Sequence, residues 1–349
     1  MGERKDRRVN VFIAVPLPEE YVDMIRKADP RINVLHDPDL QPELRYRADR
    51  VGKPMDWTDE MEEKWLGYLS QAEVILGFDR RHLDRIKECA PDLKLMQGTS
   101  TALGPVTKKM GWVEQGITVT SASGIHSVPI AEYQIMAMLA FTKDIFHMID
   151  LMGQKRYERY CTGQLAGKTV GIVGLGKNGT AVARRARAMG MRVLGVKRVV
   201  EGANPGVYSV DEIFPMERIK EMLAQCDFVS LTVPTTSDTL KFMDYDMMKA
   251  MKPGSVLINN SMGTTIVQDD LVRVLQEGHL GGAAIDVYEV EPMPADHPLW
   301  DCPNVLLSPH SASCAEHEDI NMTNLFIDNL LRYLDGMPLR NVIDPELQY

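Results

Sequence analysis

Two side chains near the C-terminal end of the chain have the types and spacing for proton transfer. His310 closes the run Asn304-Val-Leu-Leu-Ser-Pro-His310, and Glu291 closes Ala284-Ile-Asp-Val-Tyr-Glu-Val-Glu291. Each run begins as a short apolar strand. Ligands of open α/β sheets gather just outside the carboxyl ends of such strands. A histidine there can give or take a proton near neutral pH, and a carboxylate behind its ring fixes the tautomer. A structural turn histidine and a solvated loop acid are the plain alternatives for these two positions.

A second constellation lies mid-chain. Gly171-Ile-Val-Gly-Leu-Gly-Lys-Asn-Gly179 contains G-x-G-x-x-G at Gly174, Gly176 and Gly179. An apolar run at 169–173 precedes it, a helix-like run at 180–189 follows, and a second apolar run occupies 192–196. In a strand–turn–helix–strand unit the first glycine permits the tight turn. The second admits a pyrophosphate and the third lets helix and strand pack closely. The helix N-terminus, with Lys177 and Asn178, then offers N–H groups to phosphate. A ligand-free βα turn is the alternative. The acid that meets a ribose 2′-hydroxyl belongs at the end of the second strand, but that end reads Val196-Lys197-Arg198-Val199. Two cations suit a 2′-phosphate, through the planar fork of Arg and the compact charge of Lys. The expected cofactor is therefore NADP rather than NAD, unless both side chains are simply solvated. Reduction of a carbonyl by hydride needs a proton for the developing alkoxide, which His310 would supply.

The elements that must position these groups alternate along the chain. Strands are expected at 9–14, 32–36, 74–77, 93–96 and 118–120, with helices at 18–28, 58–70 and 79–89 between them. Thr58 caps the second helix, whose Met61, Trp65 and Leu69 share one face. Residues 37–57 read as polar and irregular. Six further strands, at 169–173, 192–196, 228–233, 255–259, 283–287 and 305–307, make a full doubly wound sheet, with 199–215 as surface loop plus a short turn. An amphipathic helix at 316–334 closes the chain, and an apolar helix at 130–141 looks like a buried or interface element. The expectation is an α/β protein of two parallel-sheet domains with an interdomain cleft.

Composition bounds the function classes. The 349 residues carry a net charge of −10 and are 44% apolar, an ordinary soluble profile that argues against a nucleic-acid surface. The N-terminus is basic, but the apolar run after it is too short for a signal peptide, and no run approaches the roughly 20 apolar residues of a membrane span. Five scattered cysteines include no C-x-x-C pair, so neither a metal site nor a disulfide framework is expected. The expected setting is the reduced cytoplasm, without membrane or nucleic-acid partners.

The chain resembles the D-2-hydroxyacid dehydrogenase family in its glyoxylate/hydroxypyruvate reductase-like branch, nearly end to end. The resemblance rests on Leu93-Lys-Leu-Met-Gln97, Ser123-Gly-Ile-His-Ser-Val-Pro-Ile-Ala-Glu132 and Leu165-Ala-Gly-Lys-Thr-Val-Gly-Ile-Val-Gly-Leu-Gly176. It continues through Met251-Lys-Pro-Gly-Ser-Val-Leu-Ile-Asn259, Gly282-Ala-Ala-Ile-Asp286, His297-Pro-Leu-Trp300 and Ser308-Pro-His310. It implies two Rossmann-like domains, a flavodoxin-like substrate domain of residues 1–124 plus 318–349 and a dinucleotide domain of 125–317. It also implies a homodimer and an NAD(P)-dependent oxidoreductase acting on a small molecule. By this resemblance Glu291 and His310 match the acid–histidine pair. Asp286 lies near the nicotinamide, and Val233, Pro234, Ser261 and Met262 complete the cofactor set. Thr101, Ala102, Met262 and Trp300 fall to the substrate.

Two departures from the family pattern bear on the substrate. The pattern N-x-x-R-G reads Asn259-Asn-Ser-Met262-Gly263, so a thioether stands where the family's arginine holds the substrate carboxylate. The Ser-Ala-Gly-Val-Asp-type loop reads Ser100-Thr-Ala-Leu-Gly-Pro105, with Ala102 for the glycine and Gly104 for the acid. Losing a transition-state donor costs about 2.7–4 kcal/mol, roughly a hundredfold or more in rate. An ordinary small 2-oxoacid is therefore not the expected substrate. A non-redox lyase or hydrolase using Glu291 and His310, and a silent nucleotide-binding sensor or scaffold, are the other two readings.

Overall fold

The computed structural model describes residues 7–234 and 236–347. They form two compact units, one of the described residues up to Ile125 and from Cys314 onward, and one of those between His126 and Ser313.

The first unit holds a parallel sheet of β1 (Val9–Ile13), β2 (Ile32–Leu35), β3 (Val74–Leu76), β4 (Leu95–Gln97) and β5 (Thr118–Thr120), in the order β2-β1-β3-β4-β5. Its strands are nearly continuous apolar runs because both faces are covered. Val11, Ile13, Val74, Leu76 and Leu95 enter one core with Met322, Phe326 and Leu330 of the final helix, Glu318–Asp335. Phe12, Ile75 and Met96 point the other way, into a core with Trp65, Leu69 and Trp112. The period-2 alternation of the strand thus feeds two separate cores. The helix Asp59–Leu69 begins at Thr58, whose hydroxyl accepts from Met61 N at 3.2 Å, and it buries Trp65 and Leu69.

The stretch 79–89 departs from the expected continuous helix. It is a turn, a 3-10 segment at Leu83–Arg85 and a single helical turn at Ile86–Cys89. The Asp79 carboxylate accepts from Arg81 N and meets the His82 ring at 2.7 Å. Such local side-chain bonds offer the backbone an alternative to the helix.

The second unit holds β6 (Thr169–Val173), β7 (Arg192–Val196), β8 (Glu212–Phe214), β9 (Phe228–Leu231), β10 (Val256–Asn259), β11 (Gly282–Ile285) and β12 (Val305–Leu307). All are parallel, in the order β12-β11-β10-β9-β6-β7-β8. Here too alternate strand residues part between two cores: Val173, Val229, Leu231 and Leu257 on one face, Val170, Ile172, Phe228 and Ile258 on the other. The seventh strand, β8, corrects the reading of 199–215 as loop and turn. It is a three-residue edge strand paired only with β7, too short to show alternation. The strand order reverses between β6 and β9. No helix among the described residues is long and apolar enough to cross a membrane.

Candidate active site

At the end of β6 the chain turns at Gly174, with φ +102°. A Cβ there would lie 2.9 Å from the Thr232 carbonyl oxygen, and one at Gly179 would lie 2.0 Å from the Gly174 oxygen. Neither position admits a side chain. Gly176 differs, because a Cβ there would meet nothing within 4 Å. Packing within the protein therefore does not require this glycine, whereas the close approach of a phosphate group to the backbone would. Gly176 is also the N-cap of the helix Lys177–Ala188, so no side chain caps its positive end. Asn178 is held by Ser127, whose hydroxyl donates to its Oδ1 at 2.7 Å. Thr232 donates to the Gly174 carbonyl at 2.7 Å across the switch point, and Val233 and Pro234 follow it. These features fit a bound dinucleotide.

β7 delivers the two cations. Lys197 is half-buried, its Nζ 5.5 Å from the centre of the Tyr208 ring, and Arg198 is exposed. No carboxylate occurs from 197 to 200.

β10 ends on the fully buried Asn259. Its Oδ1 accepts from Ser261 N at 3.1 Å and from Ser261 Oγ at 2.8 Å, and its Nδ2 donates to the Met262 carbonyl at 3.1 Å. Thr265 N donates to that carbonyl as well, at 3.2 Å. A Cβ at Gly263 would sit 1.9 Å from the Tyr288 carbonyl oxygen. The backbone of the turn is thus tightly placed, yet the half-buried side chain it presents is a thioether, with no charge and no hydrogen to donate.

The segments after β11 and β12 bring Glu291 and His310 together. His310 Nδ1 lies 2.7 Å from Glu291 Oε2, and Glu291 Oε1 accepts from Tyr288 N at 3.0 Å. A carboxylate only accepts, so Nδ1 carries the hydrogen of this bond. His310 adopts φ +53°, in the left-handed region that strains a residue with a Cβ. Asp286 holds this turn. Its backbone oxygen accepts from His310 N at 2.8 Å, and its Oδ1 accepts from Ser308 Oγ at 2.7 Å, Ser311 N at 2.8 Å and Ala312 N at 3.1 Å. Ser308 Oγ also lies 2.8 Å from the Tyr133 hydroxyl. With its one proton aimed at Asp286, Ser308 accepts from the phenol. Burial raises the Tyr133 pKa, helped by the Asp286 charge and opposed by the Ser308 bond, so the phenol keeps its proton.

Asp286, Glu291 and His310 are thus joined in one hydrogen-bonded group, and Gly174 and Gly179 pack against Thr232 at the switch point. Trp300 stands in the turn Pro298–Asp301, half exposed, with its indole N–H donated to the Pro294 carbonyl at 2.9 Å. Thr101 and Ala102 belong to the first unit, just after β4, where Ala102 N donates to Ser100 Oγ at 3.2 Å. Sequence reasoning did not single out Tyr133, Ser308 or the turn-building role of Asn259. Ser308 and Asn259 sit inside quoted motifs and could have been found as polar residues at strand ends. Tyr133 is 175 residues from its partner and carries no local signal.

Residues 135–312 match the NAD binding domain of the D-isomer specific 2-hydroxyacid dehydrogenases. A glyoxylate reductase of Korarchaeum cryptofilum is 31% identical over 278 residues, covering 74% of this chain and 79% of the relative. Another, of Thermofilum pendens, is 30% identical over 297 residues, covering 82% and 85%. The crystal structure of a D-isomer specific 2-hydroxyacid dehydrogenase family protein from Aeromonas salmonicida superposes with a TM-score of 0.78 at 24% identity, covering 97% of this chain and 99% of the other. By this match and these identities the chain belongs to the D-isomer specific 2-hydroxyacid dehydrogenase family and is an NAD(P)-dependent oxidoreductase.

Proposed function

We propose that this chain is an NADP-dependent reductase of the glyoxylate/hydroxypyruvate reductase-like branch whose substrate is not an ordinary small 2-oxoacid. One observation carries the substrate reading: an intact turn at the end of β10 presents Met262 instead of a guanidinium. A small 2-oxoacid would bring a carboxylate to a place with no fixed cation, and burying an unpaired charge is costly. A less anionic or more apolar carbonyl compound suits the thioether better.

The residues divide the work as follows. Gly174, Gly176 and Gly179, with Lys177 and Asn178 at the helix start, hold the pyrophosphate, while Lys197 and Arg198 select a 2′-phosphate. Val233, Pro234, Ser261 and Asp286 complete the cofactor's surroundings, and the bound nicotinamide supplies the hydride. His310 transfers the proton, and Glu291 holds its ring through Nδ1, which assigns proton exchange with substrate to Nε2. Thr101, Ala102, Met262 and Trp300 are assigned to the substrate.

The chain is further assigned as a homodimer. The helices Ser127–Thr142 and Ile145–Gly153 expose Met136, Met148, Ile149 and Met152, the last at 71%. An apolar patch of this kind marks an interface. Light scattering at micromolar concentration checks it, and a monomer refutes it. The five free thiols suit a reduced cytoplasm.

The substrate assignment is tested by steady-state kinetics of wild type and Met262→Arg on glyoxylate, hydroxypyruvate and pyruvate with NADPH. Wild type is expected to reduce them poorly and the variant far better. Wild-type turnover on the order of 10 per second overturns the reading.

A further inference from the structure

Tyr288 touches both halves of the acid–base pair. Its peptide N–H donates to Glu291 Oε1 at 3.0 Å. Its phenol lies 2.9 Å from the Ser308 carbonyl oxygen and 3.1 Å from that of Ile285, and shares its one proton between them. The Ser308 carbonyl also accepts from His310 N at 3.1 Å. One residue thus grips Glu291 with its main chain and the strained turn of His310 with its side chain. Asp286 grips the same turn, but its bonds run to Ser308, His310, Ser311 and Ala312, all on the histidine's side.

Tyr288 is itself held in place. It is 8% exposed, and its main chain packs directly on the turn at the end of β10, where a Cβ at Gly263 would stand 1.9 Å from the Tyr288 carbonyl oxygen. Burial pushes the phenol well above the ordinary tyrosine range, and Tyr133 and Asp286 add to the effect, so the hydroxyl keeps its proton and remains a donor.

Folding does not need this hydroxyl to satisfy its two acceptors. The Ile285 carbonyl already accepts from Ser308 N at 3.0 Å, and the Ser308 carbonyl from His310 N. The penalty for an unmatched buried group therefore does not arise when the hydroxyl is removed. Nor does the pair hold itself together. The side chains of His310 and Glu291 are 50% and 37% exposed, and pairs this open to water contribute only about 0–1 kcal/mol. Their spacing comes instead from the groups that fix each partner, and small displacements of a reacting group are costly in rate.

We propose that Tyr288 is a positioning residue for proton transfer, setting the spacing of Glu291 and His310 from both ends. This rests on the assignment of proton transfer to His310 and adds the residue that keeps its ring where Glu291 can orient it.

The test is a double-mutant cycle in steady-state kinetics of the full chain: wild type, Tyr288→Phe, Glu291→Gln and the two combined. The substrates are NADPH and whichever of glyoxylate and ethyl pyruvate, an uncharged 2-oxo ester, is reduced faster. Tyr288→Phe keeps the ring, and both carbonyls keep their other donors, so it should melt like wild type. It should lower kcat about three- to tenfold and leave both KM values in place. In Glu291→Gln, where the spacing no longer serves a carboxylate, the same change should alter kcat by less than about twofold. Unchanged kcat in Tyr288→Phe, or a loss as large in Glu291→Gln as in wild type, would overturn the inference while leaving His310 in its role. Full turnover in His310→Ala would remove that role, and the inference with it.

Discussion

The turns at the ends of β10 and β12 solve the same structural problem and present different chemistry. In each, one buried polar side chain from a strand end gathers the N–H and C=O groups of the next few residues: Asn259 for the turn to Met262, Asp286 for the turn from Ser308 to Ala312. One frame presents a histidine already paired with a carboxylate at 2.7 Å. The other presents a thioether. A turn and the side chain it carries can therefore vary separately: the frame is set by backbone hydrogen bonding, and the chemistry by a single residue that the frame does not use.

The largest effect should come from the β12 turn. His310→Ala is expected to lower kcat by about 10²–10⁴-fold on whatever carbonyl compound is turned over, while the cofactor affinity measured by fluorescence titration stays near wild type. Unchanged turnover would end the assignment and leave the two turns without a difference in chemistry.

Next in size is the β10 turn. Because Asn259 bonds to the carbonyl of residue 262 and not to its side chain, Met262→Arg should fold normally. It should raise kcat/KM on small 2-oxoacids by about a hundredfold. A folded variant with no gain would show that the frame alone does not place a guanidinium usefully.

Away from both turns, Lys197→Ala combined with Arg198→Ala should weaken NADPH by about tenfold to a hundredfold, since each cation gives up a charge-assisted contact. NADH binding should barely change. Equal losses for the two cofactors refute 2′-phosphate selection.

The smallest expected effect sharpens the comparison most. Ser308→Ala removes the link between Tyr133 and Asp286 without touching Glu291 or His310, and should lower kcat about three- to tenfold with KM for NADPH unchanged. Restoration by Ser308→Thr would tie the loss to the hydroxyl. A loss in thermal stability with kcat intact would instead make the link a matter of folding alone.

Much of this architecture is legible in the residues. Strands such as 169–173 and 192–196 stand out because parallel strands covered on both faces must be apolar throughout, and the glycine loop because Gly174 and Gly179 leave no room for a Cβ. The positions of Glu291 and His310 at strand ends are readable for the same reason. What stays hidden has physical causes. β8 is three residues long and lies on an edge. The helix expected over 79–89 gives way to Asp79 bonding its own neighbours. Tyr133 meets Ser308 only once the sheet is assembled.

The Asn259 frame also bears on how such a chain can change over generations. The Met codon AUG and the Arg codon AGG differ by one base. Since the hydrogen bonds of the turn end on the main chain of residue 262, a mutation in either direction leaves the fold standing. A lineage could thus leave one substrate for another in a single step, and return, with no intermediate form that fails to fold.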